Sequence, residues 1–202
     1  MVAHLRMTGS FLVKSSDDPR HPMTRNYFSM DDDRELLFVD PRKLGMLWLV
    51  EDESELTSML GPEPLEPEFT ADLLGQILFK KMAPVKAILC DQKLVAGIGN
   101  IYADEVLFTS NIHPLTRGKE ISENKVSVLR ESIVSSLSKA VDTLDRLVQQ
   151  GRGLTESYEG SMTLRVPRKA GKPCSSCGTD IQRVQIRGRS TYFCGVCQPR
   201  MN

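Results

Sequence analysis

Two cysteine pairs constrain this chain more than any other feature. Cys174-Ser-Ser-Cys177 is followed, after 16 residues, by Cys194-Gly-Val-Cys197. Each Cys-x-x-Cys offers two thiolates from one tight turn, and two such turns complete a tetrahedron. Residues 181–186 and 191–193 read as short strands joined at Arg187-Gly188-Arg189. A module this small cannot build a core that keeps it folded. The spacing therefore predicts one structural zinc ion on Cys174, Cys177, Cys194 and Cys197, supplying folding free energy. Four thiolates close the shell and leave no open position for catalysis. Two disulfides are the alternative, disfavoured in a chain expected in the cytosol.

Charge divides the chain at the same place. Residues 161–202 hold eight basic side chains (Arg165, Arg168, Lys169, Lys172, Arg183, Arg187, Arg189, Arg200) and one acid, Asp180, a net +7 against −7 for residues 1–160. A basic module on a mildly acidic body points to a polyanionic partner. No apolar run reaches the roughly 18 residues of a membrane span. The opening MVAHLRMTGS lacks the apolar stretch of a secretory signal, so the cytoplasm is the expected location. With 40% hydrophobic and 26% charged residues the chain reads as globular, which excludes a disordered chain, a collagen and a coiled-coil rod.

The remainder separates by pattern. Residues 1–52 read as five short strands, at 2–7, 11–14, 26–30, 35–39 and 46–50, with Asp31-Asp32-Asp33 as a hairpin turn. They suggest part of an antiparallel sandwich or barrel, incomplete because a chain that opens in a strand leaves an edge unpaired. Residues 53–67 hold a short helix and then Gly61, Pro62, Pro64 and Pro67, the best linker in the chain. Residues 68–160 read as helical. One apolar face carries Leu73, Leu74, Ile77, Leu78 and Met82. Pro84 suits the first turn of a helix over 84–94, and Cys90 reads as buried packing. Asn100 is placed as the cap of a helix running through Phe108. A last helix starts near Ser122, with Val126, Leu129, Ile133, Leu137, Val141, Leu144 and Val148 on one side. Residues 161–202 are the ribbon. Between the middle helices, Gly97-Ile98-Gly99-Asn100 puts backbone N–H groups and a helix start at one exposed point, a seat for a phosphate.

Taken together, four blocks resemble the formamidopyrimidine-DNA glycosylase / endonuclease VIII family. They are His4-Leu5-Arg6-Met7-Thr8-Gly9, Asp40-Pro41-Arg42-Lys43-Leu44-Gly45, the stretch from Leu89 through Asn100 to Glu105, and the ribbon ending Thr191-Tyr192-Phe193-Cys194-Gly195-Val196-Cys197-Gln198. The resemblance implies a multidomain α+β chain: an incomplete antiparallel β-sandwich, a helix–two-turn–helix domain and a C-terminal zinc ribbon. It implies base-excision repair of oxidised bases in double-stranded DNA, with nicking at abasic sites by β,δ-elimination, by a monomer without membrane contact at the bacterial nucleoid.

The resemblance also assigns residues. His4, Lys43, Asn100 and Arg189, the last in the hairpin loop, match contacts to DNA phosphates, which position a duplex without reading its sequence. Met7, Arg42 and Leu44 match the wedge that fills the gap left by an extruded base, with Arg42 facing the orphaned partner. On their own, His4 and Met7 would read as core positions of a strand pair. The family's nucleophile is the amine of an N-terminal proline, next to a glutamate. This sequence opens Met1-Val2-Ala3-His4 instead. Val2 and Ala3 cannot be carried over as that nucleophile, so no catalytic residue is assigned and the chain as given is expected to bind without cutting. A non-catalytic remnant that binds damaged DNA is the second reading. Residues 153–171 are short for a loop covering an oxidised guanine, and Val166-Pro167-Arg168 departs from the family's usual stretch, which weakens the case for oxidised guanine and leaves the choice between oxidised purines and oxidised pyrimidines open.

Overall fold

The computed structural model describes residues 1–150 and 164–200. The chain forms two compact units, Met1–Met59 and Leu60–Asn202.

In the first unit, β1 (Val2–His4) pairs antiparallel with β5 (Met46–Trp48), setting His4 opposite Met46. Strands β2 (Ser10–Ser15), β3 (Thr24–Ser29) and β4 (Arg34–Val39) make an antiparallel sheet in the order β2-β4-β3. The central strand β4 supplies the buried Leu37, Phe38 and Val39. The hairpin at the acidic triplet forms as expected. Met30 N–H donates to Arg34 O at 2.9 Å, and Asp33 takes a left-handed φ of 55°, which Asp tolerates. The first strand stops at His4 rather than running to Met7. Residues 5–9 turn instead, with Arg6 at φ 55° and Gly9 N–H donating to Leu5 O at 2.9 Å. His4 and Met7 are exposed, so the reading of a core strand pair fails here.

A short helix, α1 (Ser54–Thr57), ends the first unit, ahead of the Gly/Pro stretch. The second unit is mainly helical. Helix α2 (Ala71–Phe79) starts at Thr70, whose hydroxyl accepts Leu73 N–H at 3.1 Å. Met82 falls beyond its end and is exposed. Helix α3 (Val85–Leu89) is much shorter than the expected 84–94, and Pro84 caps it rather than sitting in its first turn. Asp91 ends it: its carbonyl accepts Leu94 N–H and Val95 N–H, and its carboxylate accepts Lys93 N–H. Helices α4 (Asn100–Thr109) and α5 (Glu123–Gln149) follow, α5 one residue after Ser122. Leu74, Leu78, Ile88, Leu89, Leu107 and Leu129 meet in one core. The Val148 side chain lies outside what is described.

The ribbon strands are β6 (Gln182–Ile186) and β7 (Arg189–Phe193). Ile186 faces Arg189, leaving a two-residue turn, Arg187-Gly188, with φ of 45° and 77°. Positive φ at both positions is the primed turn whose twist suits a hairpin. Arg189 is thus the first residue of β7, not a loop residue. A second small core joins Phe108, Val166, Cys174, Ile181 and Cys194. No helix among the described residues is long and apolar enough to cross a membrane.

Candidate nucleic-acid interface

Within the first unit, the residues matched to the DNA wedge sit on two loops. Met7 is 76% exposed and Leu44 46% exposed. Arg42 and Lys43 are exposed on the second loop, Lys43 at φ 56°. His4 closes β1, and its Nδ1 accepts Arg6 N–H at 3.1 Å. Beneath these loops lies Asp40, 1% exposed. Its Oδ1 accepts the Thr8 hydroxyl at 2.7 Å and Arg42 N–H at 3.2 Å. Its Oδ2 accepts Leu44 N–H and Gly45 N–H, each at 2.7 Å. These donors, the Gly45 amide foremost, hold the carboxyl below the usual carboxylate range.

Within the second unit, Gly99 rather than Asn100 is the cap of α4, and Asn100 is its first helical residue. The turn before it is clamped by Gln92. The Gln92 amide nitrogen donates to Ile98 O, and its oxygen accepts Gly97 N–H, each at 2.9 Å, with Gly97 at φ 75°. Gly97 N–H is therefore engaged, and the open N–H groups of this turn are those that lead α4, which have no partner within the helix. Freed from capping, Asn100 reaches the ribbon: its Nδ2 donates to Ser190 O at 3.1 Å. Its Oδ1 is buried without a hydrogen-bond partner among the described residues. Arg189, next to Ser190, donates through Nη1 to Cys90 O at 3.1 Å. Burial pushes the Cys90 thiol up, as expected for a packing residue.

What fixes the ribbon against α3 and α4 is a buried charge group that sequence reasoning missed. Lys86 Nζ lies 2.6 Å from Asp104 Oδ1 and 3.3 Å from Ser190 O. Asp104 Oδ2 accepts Tyr192 N–H at 3.1 Å and pairs with Arg168. The Arg168 guanidinium lies over the Tyr192 ring, 4.6 Å from its centroid. Glu105, the next residue, accepts Arg165 N–H and Val166 N–H, each at 2.9 Å, and so anchors the chain leading into the ribbon. Gln198 closes the far end: its Nε2 donates to Ile112 O at 2.8 Å while its Oε1 accepts Cys194 N–H at 3.0 Å. The available signal was a Lys inside Val85–Leu89 and an Asp-Glu pair inside an apolar helix.

The four cysteines converge as the spacing predicts. All four Sγ atoms lie within 4.8 Å of one another. Cys174 and Cys197 Sγ are 3.8 Å apart, and Cys177 and Cys194 Sγ 3.4 Å apart. A tetrahedral site with Zn–S bonds of about 2.3 Å has sulfur edges of about 3.8 Å. The donor set fits one structural zinc ion. Residues 153–163 of the short loop lie outside the described residues, as does the expected boundary at residue 160.

Comparison with known proteins matches this architecture in order. The formamidopyrimidine-DNA glycosylase N-terminal domain family matches residues 1–47. The H2TH domain of the same glycosylase matches residues 60–150, and the zinc finger found in FPG and IleRS matches residues 171–200. A formamidopyrimidine-DNA glycosylase of Herpetosiphon aurantiacus is 39% identical over 202 residues, covering 98% of this chain and 74% of the relative. The Lactococcus lactis Fpg in complex with abasic-site DNA superposes with a TM-score of 0.85 at 33% identity, over 98% of this chain and 74% of that one. The same protein with FAPY-dG DNA gives 0.84 at 34% identity, over the same shares.

Proposed function

We propose, since this chain belongs to the formamidopyrimidine-DNA glycosylase family, that it serves base-excision repair by holding duplex DNA at an oxidised base or an abasic site. One observation carries the reading. Asn100, at the start of α4, donates to Ser190 O, and its neighbour Arg189, at the start of β7, donates to Cys90 O, so the helix start meets the segment 161–202 of net charge +7. A helix N-terminus beside an arginine is a phosphate site in both charge and geometry.

In this reading Asn100 and Arg189 grip the backbone of the damaged strand, and His4 and Lys43 make further phosphate contacts. Met7 and Leu44 fill the space of an extruded nucleotide, and Arg42 faces the orphaned base. Zinc acts by holding the hairpin that carries Arg189. The lyase step, β,δ-elimination through a Schiff base, needs an amine placed at the sugar. The residues named here supply the grip on damaged duplex on which such a step depends.

Duplex titration tests the reading. The protein is titrated with undamaged duplex and with duplexes carrying an oxidised base or an abasic site. Tighter binding to the damaged duplexes is expected. Failure to bind either damaged duplex, or equal affinity for damaged and undamaged DNA, would overturn the DNA-holding role.

A further inference from the structure

We infer that Thr8 and Asp40 are positioning residues that lock the two wedge loops into one rigid tool; the inference rests on the reading of Met7, Arg42 and Leu44 as that wedge. The Asp40 carboxylate has room for about four hydrogen bonds and accepts four. Three come from the backbone of its own loop, at Arg42, Leu44 and Gly45. The fourth comes from the other loop, the Thr8 hydroxyl at 2.7 Å. Thr8 directly follows Met7, and the Leu44 amide belongs to the residue whose side chain projects. One carboxylate thus fixes the bases of both exposed side chains at once.

The backbone around Asp40 ties it down in turn. Its own N–H donates to Met23 O at 3.1 Å, and its carbonyl accepts Arg25 Nε at 2.8 Å. Arg25 Nη2 also reaches Pro41 O at 3.3 Å. The anchor is therefore rigid relative to β3 and β4. Two exposed apolar side chains on independently moving loops would lose conformational freedom on entering a base stack. Loops already cross-bonded lose less, so insertion is favoured. The phosphate contacts read at Asn100 and Arg189 lie on other elements and gain nothing from this device.

The test separates insertion from grip. Thr8→Val removes the cross-loop donor at nearly constant shape, and Thr8→Ser restores it. Asp40→Asn cannot accept all four donors. Each variant, with the parent chain, is titrated with undamaged duplex and with duplex holding a tetrahydrofuran abasic analogue next to 2-aminopurine. The fluorescence of 2-aminopurine reports local unstacking, and circular dichroism reports folding. We expect Thr8→Val to lower the preference for the damaged duplex about tenfold, the scale of one charge-assisted hydrogen bond. Affinity for undamaged duplex should stay within about twofold, the 2-aminopurine signal should fall, and Thr8→Ser should recover both. Asp40→Asn should lose at least as much preference. Met7→Ala and Leu44→Ala are read alongside. If these two lose the preference and Thr8→Val keeps it, the latch is overturned and the wedge stands. If none of the variants changes it, wedge and latch fall together. A Thr8→Val loss equal on both duplexes, or one that Thr8→Ser does not rescue, also overturns the latch.

Discussion

Lys86 Nζ lies 2.6 Å from Asp104 Oδ1, and both side chains are 1% exposed. Burial drives the lysine's pKa down and the aspartate's up, each against the pull of its partner. A buried pair of this kind is costly to break from one side, because the survivor stays desolvated. Lys86→Met leaves Asp104 with Arg168 and the Tyr192 N–H only. The expected loss is about 3 kcal/mol in chemical unfolding, the lower end for such a break because Arg168 remains. The double variant Lys86→Met/Asp104→Leu should lose less than Lys86→Met alone. A double variant worse than the single would show that the pair itself stabilises the docked ribbon.

Zinc removal should unfold the ribbon and spare the helices. About one zinc per chain is expected in metal analysis of reduced protein. After chelation the helical signal should persist, since α2 to α5 have their own core. DNA affinity should fall, since Arg189 loses its strand. Reduced protein without zinc would refute the metal assignment.

Replacing Arg189 by Ala should weaken binding to all sequences alike. The plot of log affinity against log salt should become shallower by about one, the signature of one lost phosphate contact. A sequence-dependent loss would point to a base contact instead.

Stability should also fall in mild acid because of His113. The ring is buried edge-on to Phe193, 4.6 Å between centroids, and its Nδ1 accepts Leu115 N–H at 3.1 Å. Burial, helped by Arg200, lowers its pKa. The unfolded chain therefore binds the proton more readily, and stability declines as pH falls below about 6.5, the ordinary histidine value. Thermal melts between pH 7.5 and 5.5 should show this slope, and His113→Asn should flatten it. An unchanged slope in that variant would move the effect to another group.

The features legible in the sequence were those with local signatures. The cysteine spacing needs no tertiary information to indicate a tetrahedron, and the acidic hairpin before Arg34 follows from turn chemistry. The missed features depend on pairing across the chain. Asp104 and Lys86 are 18 positions apart and look like surface charges until α3 and α4 pack. Asp40 was visible only as part of a motif, because its four donors come from two loops that converge only in the fold. The end of α3 was misplaced because Asp91 competes for the backbone through its side chain, which periodicity does not register.

The central claim is that these residues hold damaged duplex DNA by its phosphates and fill its gap. The most direct measurement compares the 202-residue chain on undamaged duplex and on the same duplex with a tetrahydrofuran abasic analogue, from low to high salt. The account predicts tighter binding to the damaged duplex at every salt concentration. It also predicts a log–log salt slope of about −2 or steeper, from at least two cationic phosphate contacts such as Lys43 and Arg189. Equal affinity for the two duplexes, or affinity indifferent to salt, would contradict it.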